Sequence, residues 1–408
     1  MADRRSPKIQ AGNRMKEMMS MYYLDAKNAA DNDRKVAWIT SGGPVELLIA
    51  MDVIPIYPEN HGAMCGVTRM GVELCEIAEQ MGYSRDLCSY ARCDIGSAVT
   101  GKSPIMGLPR PDFLLCCNNI CGTVTKWYEV LARLFDVPLI FIDTPFIHDE
   151  STENSIEYVK HQIVRAIEQM ESILGKKFDM DRFTEVALLS GQASRLWAEV
   201  LATCKNIPSP MSAFDGFILM APIVTLRGEQ QVIDFYEVLK QELEERVANG
   251  VAAVPGEKFR ILWDNLPIWF KMRDLSEKFI DLHACMVAST YLNAWAATDL
   301  DATEPLGGIA RAYACAFVNQ SIRHRAELMR EIVEQYSVDG IVFHSNRSCR
   351  PYSLGQQDIK DMLTEWTGVP GILIEADMND ERAYAEGPVF TRIEAFIETL
   401  RPKREVAV

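Results

Sequence analysis

Cysteines follow two apolar segments that lie far apart in this chain of 408 residues. In residues 112–121 an apolar strand runs into two cysteines and two asparagines before it reaches Cys121. Residues 340–349 repeat the pattern, because a second apolar strand is followed by a polar turn that ends in Cys349. Thiolates from distant parts of a sequence are typical ligands of iron–sulfur clusters and of zinc. The two segments therefore predict one metal site where two strand ends meet.

A third cysteine, Cys88, has the surroundings of a metal ligand. It follows a turn at residues 82–84 and stands near a predicted helix start, where the helix dipole favours a thiolate. With Cys121 and Cys349 it makes three soft ligands, which on a four-iron cluster would leave one iron open. Zinc stays an alternative, although no fourth His or Cys stands at finger-like spacing. The lack of a C-x-x-C pair argues against thioredoxin-like exchange.

The other cysteines have less distinctive surroundings. Three lie in apolar or helical patterns, which predicts positions in the core: Cys204, Cys285 and Cys315. The sequence leaves the roles of the remaining five open: Cys65, Cys75, Cys93, Cys116 and Cys117.

A serine and a glutamate follow two further predicted strands. Ser41 lies between a strand and a predicted helix, where a hydroxyl and free amides can bind a ligand. Glu59 follows the next strand at the same sheet edge, where burial would raise its pKa for proton transfer. The alternatives are a serine that caps the helix and a glutamate in a solvated loop. No G-x-S-x-G motif surrounds Ser41, and none of the six histidines forms a recognisable nucleophile pair.

Residues 96–103 fit the letters of a phosphate-binding loop, G-x-x-x-x-G-K-S. Such a loop needs a strand before it and a helix after it, since the helix N-terminus holds the phosphate. Here a predicted helix comes before the segment, and Pro104, Pro109 and Pro111 prevent a long helix after it. We therefore expect this chain to bind no nucleotide as a cofactor, so that any ATP chemistry belongs to another protein.

The composition restricts the class of protein. A hydrophobic content of 48% allows large buried cores, whereas a net charge of −15 and a pI near 5.0 argue against a nucleic-acid partner. The N-terminal residues contain no apolar segment of signal-peptide length, and no later apolar run approaches the length of a membrane span. We expect a cytoplasmic protein with no membrane partner.

The pattern of strands and helices predicts an α/β fold with two α/β domains joined by a helical segment. Residues 1–150 form the first domain, and apolar segments predict its parallel strands at residues 36–40, 54–57, 113–116 and 139–142. The helices that would cover this sheet lie at residues 44–51, 71–81 and 123–135.

The rest of the chain divides into a helical part and a second domain. Residues 151–257 predict a helical insert, with helices at residues 155–174, 181–203 and 229–250. Residues 258–408 form the second α/β domain, with predicted strands at residues 259–263, 284–289, 340–343 and 371–375. Its predicted helices lie at residues 309–336, 356–367 and 387–400. The two halves share no sequence repeat, only the arrangement of a strand followed by cysteine.

Four motifs together resemble the 2-hydroxyacyl-CoA dehydratase and benzoyl-CoA reductase family. They are YPEN at residues 57–60, DLCSYAR at 86–92, DFLLCCNNIC with the following TKWYE at 112–129, and NRSC at 346–349. Their order and spacing over nearly the whole chain are similar to those of the larger (alpha, B-type) subunit of a two-subunit (R)-2-hydroxyacyl-CoA dehydratase.

The resemblance implies a [4Fe–4S] cluster at the interface of the two α/β domains, with Cys88, Cys121 and Cys349 as its ligands. The fourth iron would carry water or hydroxide until substrate replaces it. The implied partners are a homologous smaller subunit that forms a heterodimer, a transient ATP-dependent iron–sulfur activator and an acyl-CoA substrate. The activator would inject one electron to give a ketyl radical anion on the thioester carbonyl. Hydroxide would then leave from the 2-position, the 3-position proton would be removed, and the electron would return for further turnovers.

The resemblance also implies roles for two other residues. Ser41 would hydrogen-bond the thioester or the substrate oxygens, and Glu59 would handle a proton or the departing hydroxyl. Gly42 and Gly43 depart from the family pattern, which has bulkier residues there. Two alternatives stay open at this point: a cluster-carrying subunit of an ATP-dependent benzoyl-CoA reductase, and a non-catalytic scaffold whose partner holds the active site.

Overall fold

A computed structural model describes residues 6–296 and 304–405 of the chain. Within these ranges the strands form two four-stranded sheets, and every neighbouring pair of strands is parallel. The strands of the first sheet are β1 (Val36–Ile39), β2 (Ile54–Ile56), β3 (Phe113–Cys117) and β4 (Leu139–Ile142). The strands of the second are β5 (Phe259–Asp264), β6 (Ala284–Ser289), β7 (Gly340–Asn346) and β8 (Gly371–Ala376).

The two sheets share one topology. The first has the order β2-β1-β3-β4, and the second has the equivalent order β6-β5-β7-β8. Five of the strands are buried along their whole length, as expected for parallel sheets that helices cover on both faces: β1, β2, β3, β5 and β6. The predicted α/β class is confirmed, and so are all eight predicted strands to within three residues at each end.

Helices flank the first sheet and form the middle of the chain. Those of the first part are α1 (Ala11–Lys27), α2 (Glu46–Ala50), α3 (Pro58–Val67), α4 (Gly71–Gln80), α5 (Ser89–Thr100) and α6 (Gly122–Phe135). The middle part contains α7 (Glu153–Leu174), α8 (Met180–Ala202), α9 (Ala213–Leu219), α10 (Ala221–Thr225) and α11 (Gln230–Ala248). Side-chain caps fix the starts of the long helices α7 and α8, at Thr152 and Asp179.

The remaining helices lie in the last part of the chain. They are α12 (Met272–Asp281), α13 (Thr290–Asn293), α14 (Pro305–Ala314), α15 (Ile322–Gln335), α16 (Arg350–Ser353), α17 (Gln356–Thr367) and α18 (Glu386–Glu405). None of the described helices is long and apolar enough to cross a membrane.

The prediction of one helix over residues 309–336 is wrong. Helix α14 ends at Ala314, and α15 begins at Ile322 with Ser321 as its N-cap. The chain between them leaves the helical path to contact the loop after β4, because the Asn319 amide donates to the carbonyl of Pro145 at 2.8 Å. These tertiary contacts replace the helical hydrogen bonds that the periodicity alone would favour.

One hydrophobic cluster contains residues of both sheets. It includes Trp38 and Leu114 from the first sheet and Ile261 and Val342 from the second, each of them at most 2% exposed. The apolar packing is therefore continuous between the two halves of the chain. The domain boundaries at residues 150 and 257 stay a prediction.

Buried ion pairs also join the two halves. Arg92 on α5 donates to Glu79 at 2.6 Å and to Asp380, which follows β8, at 3.0 Å. Arg382 binds the same two carboxylates, at 2.6 Å and 2.7 Å. Burial alone would raise the pKa of Asp380, but its hydrogen bonds with the two arginines lower it to about 2. This network fixes the start of α5 against the second sheet.

We expect Arg92→Met to destabilise the protein by about 1.5–3 kcal/mol, because it removes two charge-assisted hydrogen bonds and leaves Glu79 and the buried Asp380 with Arg382 as their remaining cation. Denaturant unfolding of the variant would measure the loss. Arg323→Met is the matched control, since Arg323 pairs with Glu327 on the surface and is 76% exposed, so its removal should change stability little. Equal losses in the two variants would show that the buried network does not stabilise the fold.

Candidate functional site

One cavity collects the five residues that the sequence singled out. It has a volume of about 210 Å³, and its lining includes Ser41, Glu59, Cys88, Cys121 and Cys349. Four of these residues follow the carboxyl ends of strands β1, β2, β3 and β7, the edge at which open parallel sheets bind ligands. Cys88 reaches the cavity from the start of α5. The structure thus brings together residues that are up to 308 positions apart (349 − 41).

All three cysteines occupy the same position relative to a helix. Cys88 is the N-cap residue of α5, Cys121 that of α6 and Cys349 that of α16. Each is half-buried and free of disulfide bonds. The start of a helix presents unpaired backbone N–H groups and the positive end of its dipole, both of which favour a thiolate. The prediction that Cys88 stands near a helix start is confirmed, and the other two share that placement.

Burial and mutual repulsion act against the thiolate form. Burial raises the pKa of all three thiols, that of Cys349 to about 12. A charge on Cys349 or Cys121 raises the pKa of Cys88 further, whereas the first-turn N–H groups of Tyr90 and Ala91 lower it. Three thiolates would therefore gather here only around a cation, which reverses the sign of the local field.

Serines next to two of the cysteines hold the motifs together. The backbone N–H of Ser89 donates to the hydroxyl of Ser348 at 3.1 Å, and that hydroxyl donates to Asp377. Because these serines directly follow Cys88 and precede Cys349, this chain of hydrogen bonds fixes the two cysteines relative to each other. Asp377 follows β8, so the second sheet positions the start of α5.

Glu59 and Ser41 are in direct contact. The backbone N–H of Ser41 donates to Oε1 of Glu59 at 3.1 Å, while Oε2 is buried with no partner among the described residues. The Glu59 side chain belongs to the first turn of α3, and its burial raises its pKa to about 7. The solvated-loop alternative for Glu59 is wrong, and so is the alternative of Ser41 as an N-cap, because Val45 holds that position.

A buried arginine, which the sequence analysis missed, fixes the turn that carries Ser41. Arg227 donates to the carbonyls of Gly43 at 2.9 Å and Ser41 at 3.4 Å. Its guanidinium also donates to the hydroxyl of Tyr313 at 2.8 Å, which in turn donates to Glu46 at 2.8 Å. The donors of Arg227 are thus used within the protein, and Glu46 offsets its charge.

The turns after β1 and β3 approach each other closely. The Asn119 amide donates to the carbonyls of Gly42 at 2.8 Å and Tyr313 at 2.7 Å. A Cβ atom added to Gly42 would lie 2.6 Å from the Ile120 side chain and 2.7 Å from Asn119 Oδ1. A side chain at this position would therefore force the Ile120 and Asn119 side chains to move, which would disturb the contact between the two turns.

The remaining cysteines do not line this cavity. Cys116 and Cys117 are buried on opposite faces of β3, in different hydrophobic clusters. Cys65, Cys75 and Cys93 form a small buried cluster with Leu74. The predicted core positions of Cys204 and Cys285 are confirmed, whereas Cys315 is only half-buried because it follows the end of α14.

The phosphate-loop match lies in a helix. Residues 96–100 form the end of α5, Gly101 caps that helix, and the Lys102 ammonium pairs with Glu73. A strand does not precede the segment, so the backbone is not the loop that cradles a phosphate.

Comparison with known proteins identifies the family. A family model described as "2-hydroxyglutaryl-CoA dehydratase, D-component" matches residues 40–400. The chain is 37% identical to the (R)-2-hydroxyisocaproyl-CoA dehydratase alpha subunit of Clostridioides difficile, with 98% of each chain covered. The chain belongs to this D-component family.

Other relatives are named either as dehydratase subunits or as a reductase subunit. The (R)-phenyllactyl-CoA dehydratase alpha subunit of Clostridium sporogenes is 33% identical over 96% of each chain. One benzoyl-CoA reductase subunit, from Thauera aromatica, is 29% identical over 97% of this chain and 95% of its own. The resemblance drawn from the four motifs is confirmed at the level of the family.

Aromatic and apolar side chains make up most of the cavity wall in this D-component protein. The aromatic residues are Tyr90, Trp127, Tyr291, Trp295, Tyr313, Phe317 and Tyr352. None of them was predicted to line the site, although Tyr90 and Trp127 lie within the DLCSYAR and TKWYE motifs, because only the folded chain brings them to the cavity. Such a wall excludes water and favours an apolar ligand.

Proposed function

We propose that this chain is the alpha subunit of an (R)-2-hydroxyacyl-CoA dehydratase, a lyase that eliminates water to give a 2-enoyl-CoA. The observation that carries the proposal is the meeting of three helix-capping cysteines with Ser41 and Glu59 around one apolar cavity. The names of the relatives, which include three further dehydratase alpha subunits, support the same activity. As partners we propose a homologous smaller subunit and a separate ATP-dependent iron–sulfur activator.

Cys88, Cys121 and Cys349 would hold a [4Fe–4S] cluster with one iron free of cysteine, at the interface of the two sheets. Among the described residues no three His, Cys, Asp or Glu side chains are grouped to share a single metal ion. A cluster requires a wider spacing of its ligands than a single ion does, because each thiolate binds a different iron. The three thiols of the cavity suit a cluster, because thiolates are its usual ligands and each of the three lies at the start of a different helix. When bound, the cluster supplies one-electron chemistry and an open iron that acts as a Lewis acid.

Glu59 would move both protons of the elimination. With a pKa near 7 it is protonated in much of the population at neutral pH. Its buried Oε2, which has no partner in the described chain, would give its proton to the departing 2-hydroxyl group as the C2–O bond breaks. The resulting carboxylate would then take the proton from C3, so that water and the enoyl thioester form and Glu59 returns to its starting state.

Ser41 would position the thioester beside Glu59. Its backbone N–H holds Oε1 of Glu59, which directs the other carboxyl oxygen away from the turn. Arg227 fixes this turn from behind, so the Ser41 hydroxyl would bind a substrate oxygen without reorganisation of the backbone. We propose that the electron from the activator resides on the thioester carbonyl as a ketyl radical anion while the hydroxyl leaves and C3 loses its proton. The electron then leaves the enoyl product and returns for further turnovers.

The acyl group of the substrate is apolar in this proposal. Aromatic and apolar side chains make up most of the wall of the cavity, and Arg227 already pairs with Glu46 and Tyr313. A second carboxylate on the acyl chain would find no free cation among the described lining residues, and burying it would cost several kcal/mol. The structure thus favours (R)-2-hydroxyisocaproyl-CoA over (R)-2-hydroxyglutaryl-CoA as a substrate.

An anoxic assay of the complex with its partner subunit and activator tests the proposal. We expect (R)-2-hydroxyisocaproyl-CoA to give the 2-enoyl-CoA with only catalytic electron input, and kcat/KM to be at least about 100-fold lower with (R)-2-hydroxyglutaryl-CoA. No enoyl product, together with stoichiometric use of electrons on benzoyl-CoA, would overturn the proposal in favour of a ring reductase.

A further inference from the structure

A second, larger cavity adjoins the first. It is a groove of about 750 Å³ between helices α8, α14 and α15. Four residues line both cavities: Ala294, Ala312, Ala316 and Phe317. Three of these are alanines, so mostly small side chains lie between the groove and the cavity that contains the cysteines. The two cavities are therefore neighbours along a narrow boundary of small residues.

Cations concentrate in the groove although the chain carries a net charge of −15. Arg195 of α8 and Arg311 of α14 both line it and are exposed. Within residues 6–296 and 304–405 neither guanidinium takes part in a hydrogen bond or an ion pair. Lys205 also lines the groove and donates to Gln335 at 2.8 Å, and Glu331 is the one carboxylate among the described lining residues. The groove thus offers an anion two planar donors that no described residue engages.

We propose that this groove binds the phosphates of coenzyme A, with Arg195 and Arg311 as the principal contacts. This inference rests on the proposed function, because it places the remote end of the same acyl-CoA substrate. Coenzyme A carries a 3′-phosphate and a pyrophosphate at one end and a flexible thiol arm at the other. The charged end matches the cations of the groove, and the arm would pass Ala312 and Ala316 to bring the thioester beside Ser41.

The two cavities differ in the way that the two ends of an acyl-CoA require. The cavity of about 210 Å³ is lined mostly by apolar and aromatic side chains and suits an apolar acyl group, whereas a phosphate there would lack solvent and a free cation among the described lining residues. The groove is open and basic, so it binds the phosphates without the cost of full burial. Arginine also forms two parallel hydrogen bonds to a phosphate, which gives direction as well as charge.

Charge reversal of the two arginines tests the inference. We expect Arg195→Glu and Arg311→Glu each to raise the KM for the acyl-CoA and the Kd for free coenzyme A by about tenfold or more. The iron content and kcat at saturation should stay within about twofold of the unchanged complex. Arg182→Glu on the same helix α8 is the matched control, because Arg182 is exposed, pairs with Glu185 and does not line the groove.

Titration calorimetry with coenzyme A and 3′-dephospho-coenzyme A provides a readout that does not need turnover. We expect the unchanged complex to prefer coenzyme A, and one of the two arginine variants to lose that preference. If both variants bind both probes as tightly as the control, the inference is wrong even when dehydration proceeds. If the affinities follow the charge changes but no enoyl-CoA forms, the groove assignment stands and the proposed function fails.

Discussion

Replacement of Cys88, Cys121 or Cys349 by alanine is expected to remove the iron–sulfur cluster and with it all turnover. Each cysteine stands at the start of a different helix, so none of the other described thiols is placed to substitute for a missing one. The proposed cluster has three cysteine ligands for its four irons, so the loss of one more ligand would leave a second iron without a bond to the protein. Iron and acid-labile sulfide measured after anoxic purification would report the loss.

Cys117→Ala provides the matched control for these variants. Cys117 belongs to the same CCNNIC segment as Cys121, but it is fully buried in the hydrophobic cluster under the first sheet. Its removal takes away a thiol and a little packing, so the iron content should stay near that of the unchanged chain. Loss of the cluster in Cys117→Ala but not in Cys121→Ala would contradict the proposed ligand set.

The second large effect is expected for Glu59→Gln, which should lower kcat by about 10²–10⁴-fold and leave the iron content unchanged. Glutamine keeps the size of the side chain and the contact with Ser41, but it cannot give or take a proton. Glu73→Gln removes a carboxylate from an exposed salt bridge with Lys102 and should leave kcat unchanged. A variant of Glu59 with full activity would support a scaffold role for this chain.

The pH dependence of kcat follows from the same residue. Burial raises the pKa of Glu59 to about 7, and the proposed elimination begins with the protonated form. We therefore expect kcat to fall as the pH rises through about 7, and this fall to be absent from the residual activity of Glu59→Gln. A rise of kcat over that pH range would show that Glu59 acts first as a base.

Much of the fold could be predicted because the apolar segments and the residues that end them indicate the same strands. The eight strands are short, apolar and bounded by residues that break regular structure, and the structure contains all of them. The same logic placed Ser41, Glu59, Cys121 and Cys349 at strand ends, and parallel strands put such ends at one edge of a sheet. The roles of these residues were implied by the family resemblance and stay predictions.

Other features depend on contacts between distant segments. The break between α14 and α15 depends on Asn319 meeting the loop after β4, which no local pattern records. The shared topology of the two sheets could not be predicted, because the two halves of the sequence show no repeat apart from a strand followed by cysteine. Helices α1 and α12 were not predicted, although their buried residues recur at helical spacing. Arg227, which fixes the Ser41 turn, lies 186 positions from it (227 − 41), so only tertiary structure shows their contact.

The iron and acid-labile sulfide content of the anoxically purified complex, together with its Mössbauer spectrum, tests the central claim most directly. We expect about four irons and four sulfides for this chain, with one iron site that differs from the other three and changes when acyl-CoA is added. A single metal ion per chain would contradict a three-cysteine cluster with an open site. Four equivalent irons whose spectrum does not change when acyl-CoA is added would contradict it as well.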